Sequence, residues 1–342
     1  MLTKSIQSAA EFMGQKGTAL ALISALVIGS ALGMLFPSFG ESVSGQIDFT
    51  ILLLVFCLLF DVRLQDIAAS ITRPVFILVA LAANFVIVPA IGFAISSTFL
   101  SAHPLFFIGL TIYFMAPCTD WFLGFTRLAK GNTSLGATLL PINMIVQLLL
   151  YPFYLQLFGI QGSVAVSQNV FEVLWQWFLV PLALALAARF VADRFLSEAR
   201  SALVQDVVSL AVPFLLALLV GQIAAANITT LADNLAVFPL MFAGIVMFFA
   251  ANFLLSEVLS RVFRFSYEDH VLLTMTTAAR NAPLMLAITM AVIPGQPVIY
   301  AAIIIGMLIE LPHLILLKTV LLRRQKSEDR ADVAYSEEPI PS

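Results

Sequence analysis

Charge is what this sequence has least of. Only 11% of its 342 residues are Asp, Glu, Lys or Arg, against 61% hydrophobic ones, and a soluble chain of this length could not cover its surface with so few. Cysteine is nearly absent as well. Cys57 and Cys118 are the only two and both lie inside apolar stretches, which excludes a disulfide framework. Neither has the spacing of a metal site; no metal, no cofactor and no enzymatic chemistry is expected of this chain. With a formal charge of −3 and no basic stripe, the chain carries no nucleic-acid footprint. What is present instead is apolar run after apolar run, which defines a polytopic membrane protein whose surroundings are a lipid bilayer.

A bilayer core takes about 20 apolar residues per helix. Spans on that criterion fall near 18–36, 46–60, 74–99, 104–126, 134–158, 170–189, 203–225, 235–260, 270–293 and 297–322. The fold class is therefore all-α, with ten transmembrane helices. The loops sort by charge: Lys4 and Lys16 precede the first span, and Arg63 and Arg73 follow the second. Arg127 and Lys130 follow the fourth, Arg189, Arg194 and Arg200 the sixth, and Arg261 and Arg264 the eighth. Lys318, Arg323, Arg324, Lys326 and Arg330 close the tenth, and the intervening loops hold neither Lys nor Arg. The positive-inside rule then puts both termini in the cytoplasm of a multi-pass protein of the plasma (bacterial inner) membrane. Trp175 and Trp177 fit an interfacial belt or ordinary lipid-facing positions equally well. Residues 1–17 read as a short cytoplasmic segment, and 323–342, polar and charged, as a disordered cytoplasmic tail.

Similar features recur at an offset of about 165 residues: Ala116-Pro117 and Ala282-Pro283, each followed by a short polar connection, Ala129-Lys130-Gly131-Asn132 and Pro294-Gly295-Gln296-Pro297. Two repeats of five helices, 18–158 and 170–322, follow from this. Five is odd, so the second repeat is inverted, a design in which substrate binds at interrupted helices near the bilayer midplane.

The charges left at membrane depth are few. Arg280 alone among seventeen Lys and Arg residues falls in the middle of a span, where a charge costs about 2.5–3.5 kcal/mol even on the lenient insertion scale. Asp120 lies at similar depth beside the other Ala-Pro break, and an Asp120–Arg280 ion pair is expected, either as a structural clamp or as a gate. Cys118, after Pro117, is placed with Thr119 at the N-terminus of the second half of span four, where the helix dipole favours a thiolate or oxyanion. The alternative is a small apolar filler. Glu310, mid-span, either carries a proton or coordinates a cation. Asn143 and Gln147 in span five lie opposite it by the repeat offset. His313 shares its helix face and reads as a core histidine.

At these residues the chain resembles the arsenical-resistance arsenite exporters, within the bile acid/arsenite/riboflavin transporter (bile acid:sodium symporter-like) superfamily. The likeness is carried by Ala116-Pro117-Cys118-Thr119, by Leu128-Ala129-Lys130-Gly131-Asn132 with Asn143 and Gln147, by Ala278-Ala279-Arg280-Asn281, and by Glu310-Leu311-Pro312. The resemblance implies inverted five-helix repeats whose fourth and ninth helices are broken and cross, with Cys118 as the essential cysteine and Glu310 as the essential glutamate. It implies export of arsenite, or antimonite, in exchange for protons. Cys118, Thr119, Asn143 and Asn281 are then the substrate-binding candidates, and Glu310, Asp120, Arg280 and Gln147 the coupling candidates. The chain departs from the pattern at Ala282-Pro283-Leu284-Met285, where exporters carry an acidic Phe-Glu-Leu-type stretch, and at Asp120-Trp121. It also holds no Glu or Gln between Val271 and Ile293, where the sodium-symporter branch has its sodium ligands. The second reading is a sodium- or proton-coupled symporter of a small organic anion, with Arg280 on the carboxylate. A membrane sensor or scaffold is the third, and it leaves the buried charges without a role.

Overall fold

Proline sets many of the helix starts. Pro37, Pro74, Pro104 and Pro297 each open a helix, where the missing N–H is harmless because the first turn has no partner for it. The computed structural model describes residues 15–60, 73–119, 121–160, 172 and 175–336. In chain order the helices are α1 (Gln15–Leu35), α2 (Pro37–Ser44), α3 (Ile47–Phe60), α4 (Pro74–Leu100), α5 (Pro104–Met115), α6 (Trp121–Leu128) and α7 (Thr133–Leu157). After them come α8 (Val180–Phe195), α9 (Glu198–Ala232), α10 (Phe238–Val262), α11 (Tyr267–Ala278), α12 (Ala282–Val292) and α13 (Pro297–Ser336). No strand forms among the described residues.

Five of these helices, α4, α7, α9, α10 and α13, have stretches long and apolar enough to cross a bilayer, and a sixth is added if α1 and α2, bent by 119°, count as one span. The protein is an integral membrane protein. Helices α3, α5 and α12 are apolar but shorter. At 1.5 Å per residue the twelve residues of α5 reach only about 18 Å, little more than half of a bilayer core.

Close backbone approach holds the bundle where side chains would be too large. Gly29 and Gly33 on α1 lie one turn apart and face Gly221 and Ala225 on α9, and a Cβ on either glycine would strike the main chain opposite. This is the small-xxx-small contact that lets membrane helices touch without a hydrophobic drive. On α5, Gly109 sits against Ile299 and Ala302 of α13, and Gly306 of α13 lies against the Tyr113 ring. These two contacts set the register between the helices that carry Tyr113 and Glu310.

Helix α4 contains a π-helical turn, Ala83–Ile87, just before Pro89. Pro89 has no N–H to offer the carbonyls one turn earlier. The Phe85 carbonyl accepts instead from the Tyr154 hydroxyl of α7 at 2.5 Å. Replacing Tyr154 by phenylalanine should therefore lower stability by about 1–2 kcal/mol, the cost of a buried acceptor left unpaired. Thermal unfolding of the detergent-solubilised protein reads this, and an unchanged transition would show that the hydroxyl is dispensable.

The helical backbone of α13 runs on to Ser336, through the charged stretch after Arg323 where composition points to disorder. Arg, Lys, Glu and Ala are all good helix formers. Residues 1–14 and 337–342 lie outside the described residues, as does Arg63. Trp175 is exposed, as a belt or lipid-facing residue would be.

Candidate substrate and coupling site

Helices α5 and α6 lie in one apolar run of sequence, as do α11 and α12, and each run is cut by extended residues. Ala116 and Ala279 both turn to extended backbone, at φ −114°, ψ 121° and φ −76°, ψ 138°. The two interruptions then pair with each other. Pro117 and Arg280 face one another in an antiparallel bridge. The Cys118 N–H donates to the Ala279 carbonyl at 3.0 Å, and the Asn281 N–H donates to the Ala116 carbonyl at 3.1 Å. Each break has the reason for its partner built in. Pro283 cannot offer an N–H to Ala279, four residues earlier, so that carbonyl is available to the other chain segment.

Ending two helices in the buried interior leaves their last carbonyls without partners, and Arg280 supplies them. Its Nη1 donates to Phe114 O, at the end of α5, at 3.1 Å. Its Nη2 donates to Thr276 O at 3.1 Å and to Thr277 O at 2.6 Å, at the end of α11. One guanidinium thus closes the C-termini of both half-helices, whose dipoles present their negative ends to it. The Phe248 ring lies 5.7 Å from the guanidinium carbon, within reach of a cation–π contact. Arg280 is only 1% exposed. Its charge is held by main-chain carbonyls, and its expected partner Asp120 lies outside the described residues.

The Arg280 backbone N–H donates to Glu310 Oε1 at 3.0 Å, and the Tyr113 hydroxyl donates to Oε2 at 2.7 Å. Both carboxyl oxygens therefore accept, and Glu310 is 2% exposed. The Ala279 carbonyl and the Arg280 N–H belong to the same peptide group. Cys118 is bonded to one edge of that group and Glu310 to the other.

Around the bridge lies a shell of amides and hydroxyls. Asn281 caps α12 through Oδ1, which accepts from the Leu284 N–H at 3.3 Å, and its Nδ2 donates to Thr119 Oγ1 at 3.0 Å and to Gln147 Oε1 at 3.4 Å. Asn84 and Asn143 both donate to Thr276 Oγ1, at 3.0 and 3.3 Å. Asn84 Oδ1, Asn143 Oδ1, Gln147 Nε2 and Arg280 Nε are buried without a hydrogen-bond partner. Buried polar atoms are nearly always paired, so this cluster has capacity for a ligand. The connection between α6 and α7 fastens the start of α11 to it. Asn132 donates to Asp269 Oδ1 at 2.9 Å and takes the Leu135 N–H at 3.0 Å as the cap of α7.

The structure brings Cys118, Thr119, Asn143, Gln147, Arg280, Asn281 and Glu310 together. Cys118 and Thr119 lie just before α6, whose described residues begin at Trp121, and the Cys118 N–H is donated across the bridge to the Ala279 carbonyl. Arg280 lies within its break rather than beside it. Asn143 and Gln147 bond to Thr276 and Asn281, while the Tyr113 hydroxyl and the Arg280 N–H donate to the two carboxyl oxygens of Glu310. His313 stacks on Phe249, with centroids 4.0 Å apart and planes 9° apart, as a packed core ring does. Sequence reasoning missed Tyr113, Asn84 and Thr276. An amide in mid-span five residues before a proline was a usable signal for Asn84. Tyr113 carried none, being one aromatic among many.

Comparison with curated proteins returns no match. A family model does match, over residues 49–234, a stretch that includes Cys118, Asn143 and Gln147 and stops before Arg280 and Glu310. It covers more than half of the sequence, and on it the chain belongs to the sodium bile acid symporter family.

Proposed function

We propose that this protein exports arsenite in exchange for a proton, with Cys118 engaging the cargo and Glu310 the proton. One observation carries the reading: a single peptide group, Ala279–Arg280, accepts from the Cys118 N–H and donates to the Glu310 carboxyl. A change at the sulfur that tilts this peptide changes the hydrogen bonding of the carboxyl, which is what obligatory exchange requires. Arsenite is a trihydroxide, and a thiol replaces one hydroxyl to form an As–S bond with release of one water. A single thiol makes one such bond, weak enough to reverse, and the unpaired amide oxygens of Asn84 and Asn143 can accept from the remaining hydroxyls. In this reading the chain forms two inverted five-helix repeats, 18–158 and 170–322, with both termini cytoplasmic. The bridge between Pro117 and Arg280 is the crossing of helices four and nine.

In cells stripped of their own arsenite exporters, the parent should restore growth on arsenite. Cys118→Ser should abolish protection while Cys57→Ser retains it. Protection by Cys118→Ser equal to that of the parent would exclude the sulfur mechanism.

The second reading is sodium-coupled uptake of a small organic anion. It is favoured by the family to which the chain belongs and by the same two unpaired amide oxygens, which suit a hard cation. Against Arg280 as the anion's partner stands the use of its Nη atoms by three carbonyls. Labelled carboxylate accumulating in vesicles under a sodium gradient, with no arsenite resistance in cells, would favour this reading over the first.

A further inference from the structure

Away from the crossing, a cavity of about 260 Å³ opens where α10, α11 and α13 meet. Arg261, Arg264 and Arg324 line it together with one carboxylate, Glu257, and with Ser260 and His270. Three guanidinium groups against one carboxylate leave two positive charges in excess. Glu257 is shared among its neighbours: Arg324 Nη1 lies 2.6 Å from Oε1, His270 Nε2 3.1 Å from Oε1, and Arg261 Nη2 3.4 Å from Oε2. One further observation points to a ligand. Ser260 Oγ, on a residue 8% exposed, is buried without a hydrogen-bond partner at the wall of the cavity. Arg264 holds φ at 52°, a left-handed conformation that costs a residue with a side chain roughly 1 kcal/mol. There it closes α10, with the Phe265 N–H donating to Ser260 O at 3.0 Å, a helix ending that ordinarily takes glycine.

We propose that this cavity binds a phosphate group. A tetrahedral anion with several acceptor oxygens matches guanidinium donors and a serine hydroxyl. The cavity lies where the apolar run of α10 gives way to charge, with Val262 and Phe263 exposed beside it, so the phosphate has two sources: an anionic lipid headgroup or a soluble phosphate. The site is separate from the crossing and does not depend on what the protein transports. It joins α11, which leads into the break at Arg280, to α13, which carries Glu310.

The test uses the purified full chain and the double variant Arg261→Gln/Arg264→Gln, whose arginines are both exposed. Thermal unfolding is followed during titration with inorganic phosphate, with chloride at matched ionic strength as control. In parallel, binding is measured in nanodiscs of phosphatidylglycerol and of phosphatidylcholine. Saturable stabilisation by phosphate, or retention of phosphatidylglycerol over phosphatidylcholine, is expected, with apparent affinity about tenfold weaker in the double variant, the loss of about one charged hydrogen bond. Response to the lipid alone assigns the headgroup, and response to phosphate alone assigns the soluble anion. Ser260→Ala, which removes no charge, should weaken the same response. The proposal is overturned if neither probe acts, if chloride acts as phosphate does, or if parent and both variants respond alike.

Discussion

Arg280→Leu should destabilise the protein by on the order of 3–5 kcal/mol, the range for removing one partner from a buried charged network. Leucine leaves three carbonyls, on Phe114, Thr276 and Thr277, buried with no donor. Two of the acceptors end one helix and the third ends another, so both half-helices lose their closure at once. An unpaired buried acceptor costs about 1–3 kcal/mol, and bilayer or protein interior offers no water to replace the guanidinium. Arg280→Lys should recover part of the loss, since one ammonium keeps the charge but cannot fork to two helix ends. Thermal unfolding in detergent and the yield of folded protein read the effect. A guanidinium kept for substrate alone would give the opposite pattern: Arg280→Leu would melt like the parent and fail only in transport. That outcome would remove the structural role argued here.

Glu310→Gln should separate folding from coupling. Glutamine keeps one oxygen for the Arg280 N–H, and its amide nitrogen can donate to a Tyr113 hydroxyl turned to accept, so both contacts survive in altered form. The thermal transition should therefore move by less than about 1–2 kcal/mol. What glutamine cannot do is take up and release a proton. Net transport should fall to background, while exchange of cargo that does not need proton turnover persists. Driven transport by Glu310→Gln at the parental rate would exclude this carboxyl as the coupling group, and Tyr113→Phe, which removes one donor to it, would then be equally silent.

The comparison of sequence with structure turns on a few residues. Hydropathy alone places α3, α4, α7 and α10 within a few residues, because apolar runs in lipid have little choice but to satisfy their backbone internally. Pro117 and Pro283 mark where the internal ladder must fail. The sequence also identifies Cys118, Arg280 and Glu310, since a thiol after a proline and two charges at depth stand out against apolar neighbours. Their partners were not legible. Asp120, the counter-ion that a side-chain pattern offers Arg280, lies outside the described residues; the acceptors the structure shows are main-chain carbonyls, which every residue possesses and no side-chain pattern marks. Tyr113 was hidden for a similar reason: its hydroxyl matters only because Gly306 lets its ring lie against α13.

By itself, then, the sequence determined that the chain is helical, that it lies in a membrane, and that two of its helices break beside its few buried polar residues. Those properties depend on local composition and on the periodicity of one segment. Only the tertiary structure decided that the breaks pair with each other, that Arg280 closes both, and that Cys118 and Glu310 meet at the two edges of one peptide group. Such facts depend on which backbone groups, separated by more than 150 residues in the chain, are left unpaired at the same place, and no local pattern encodes that.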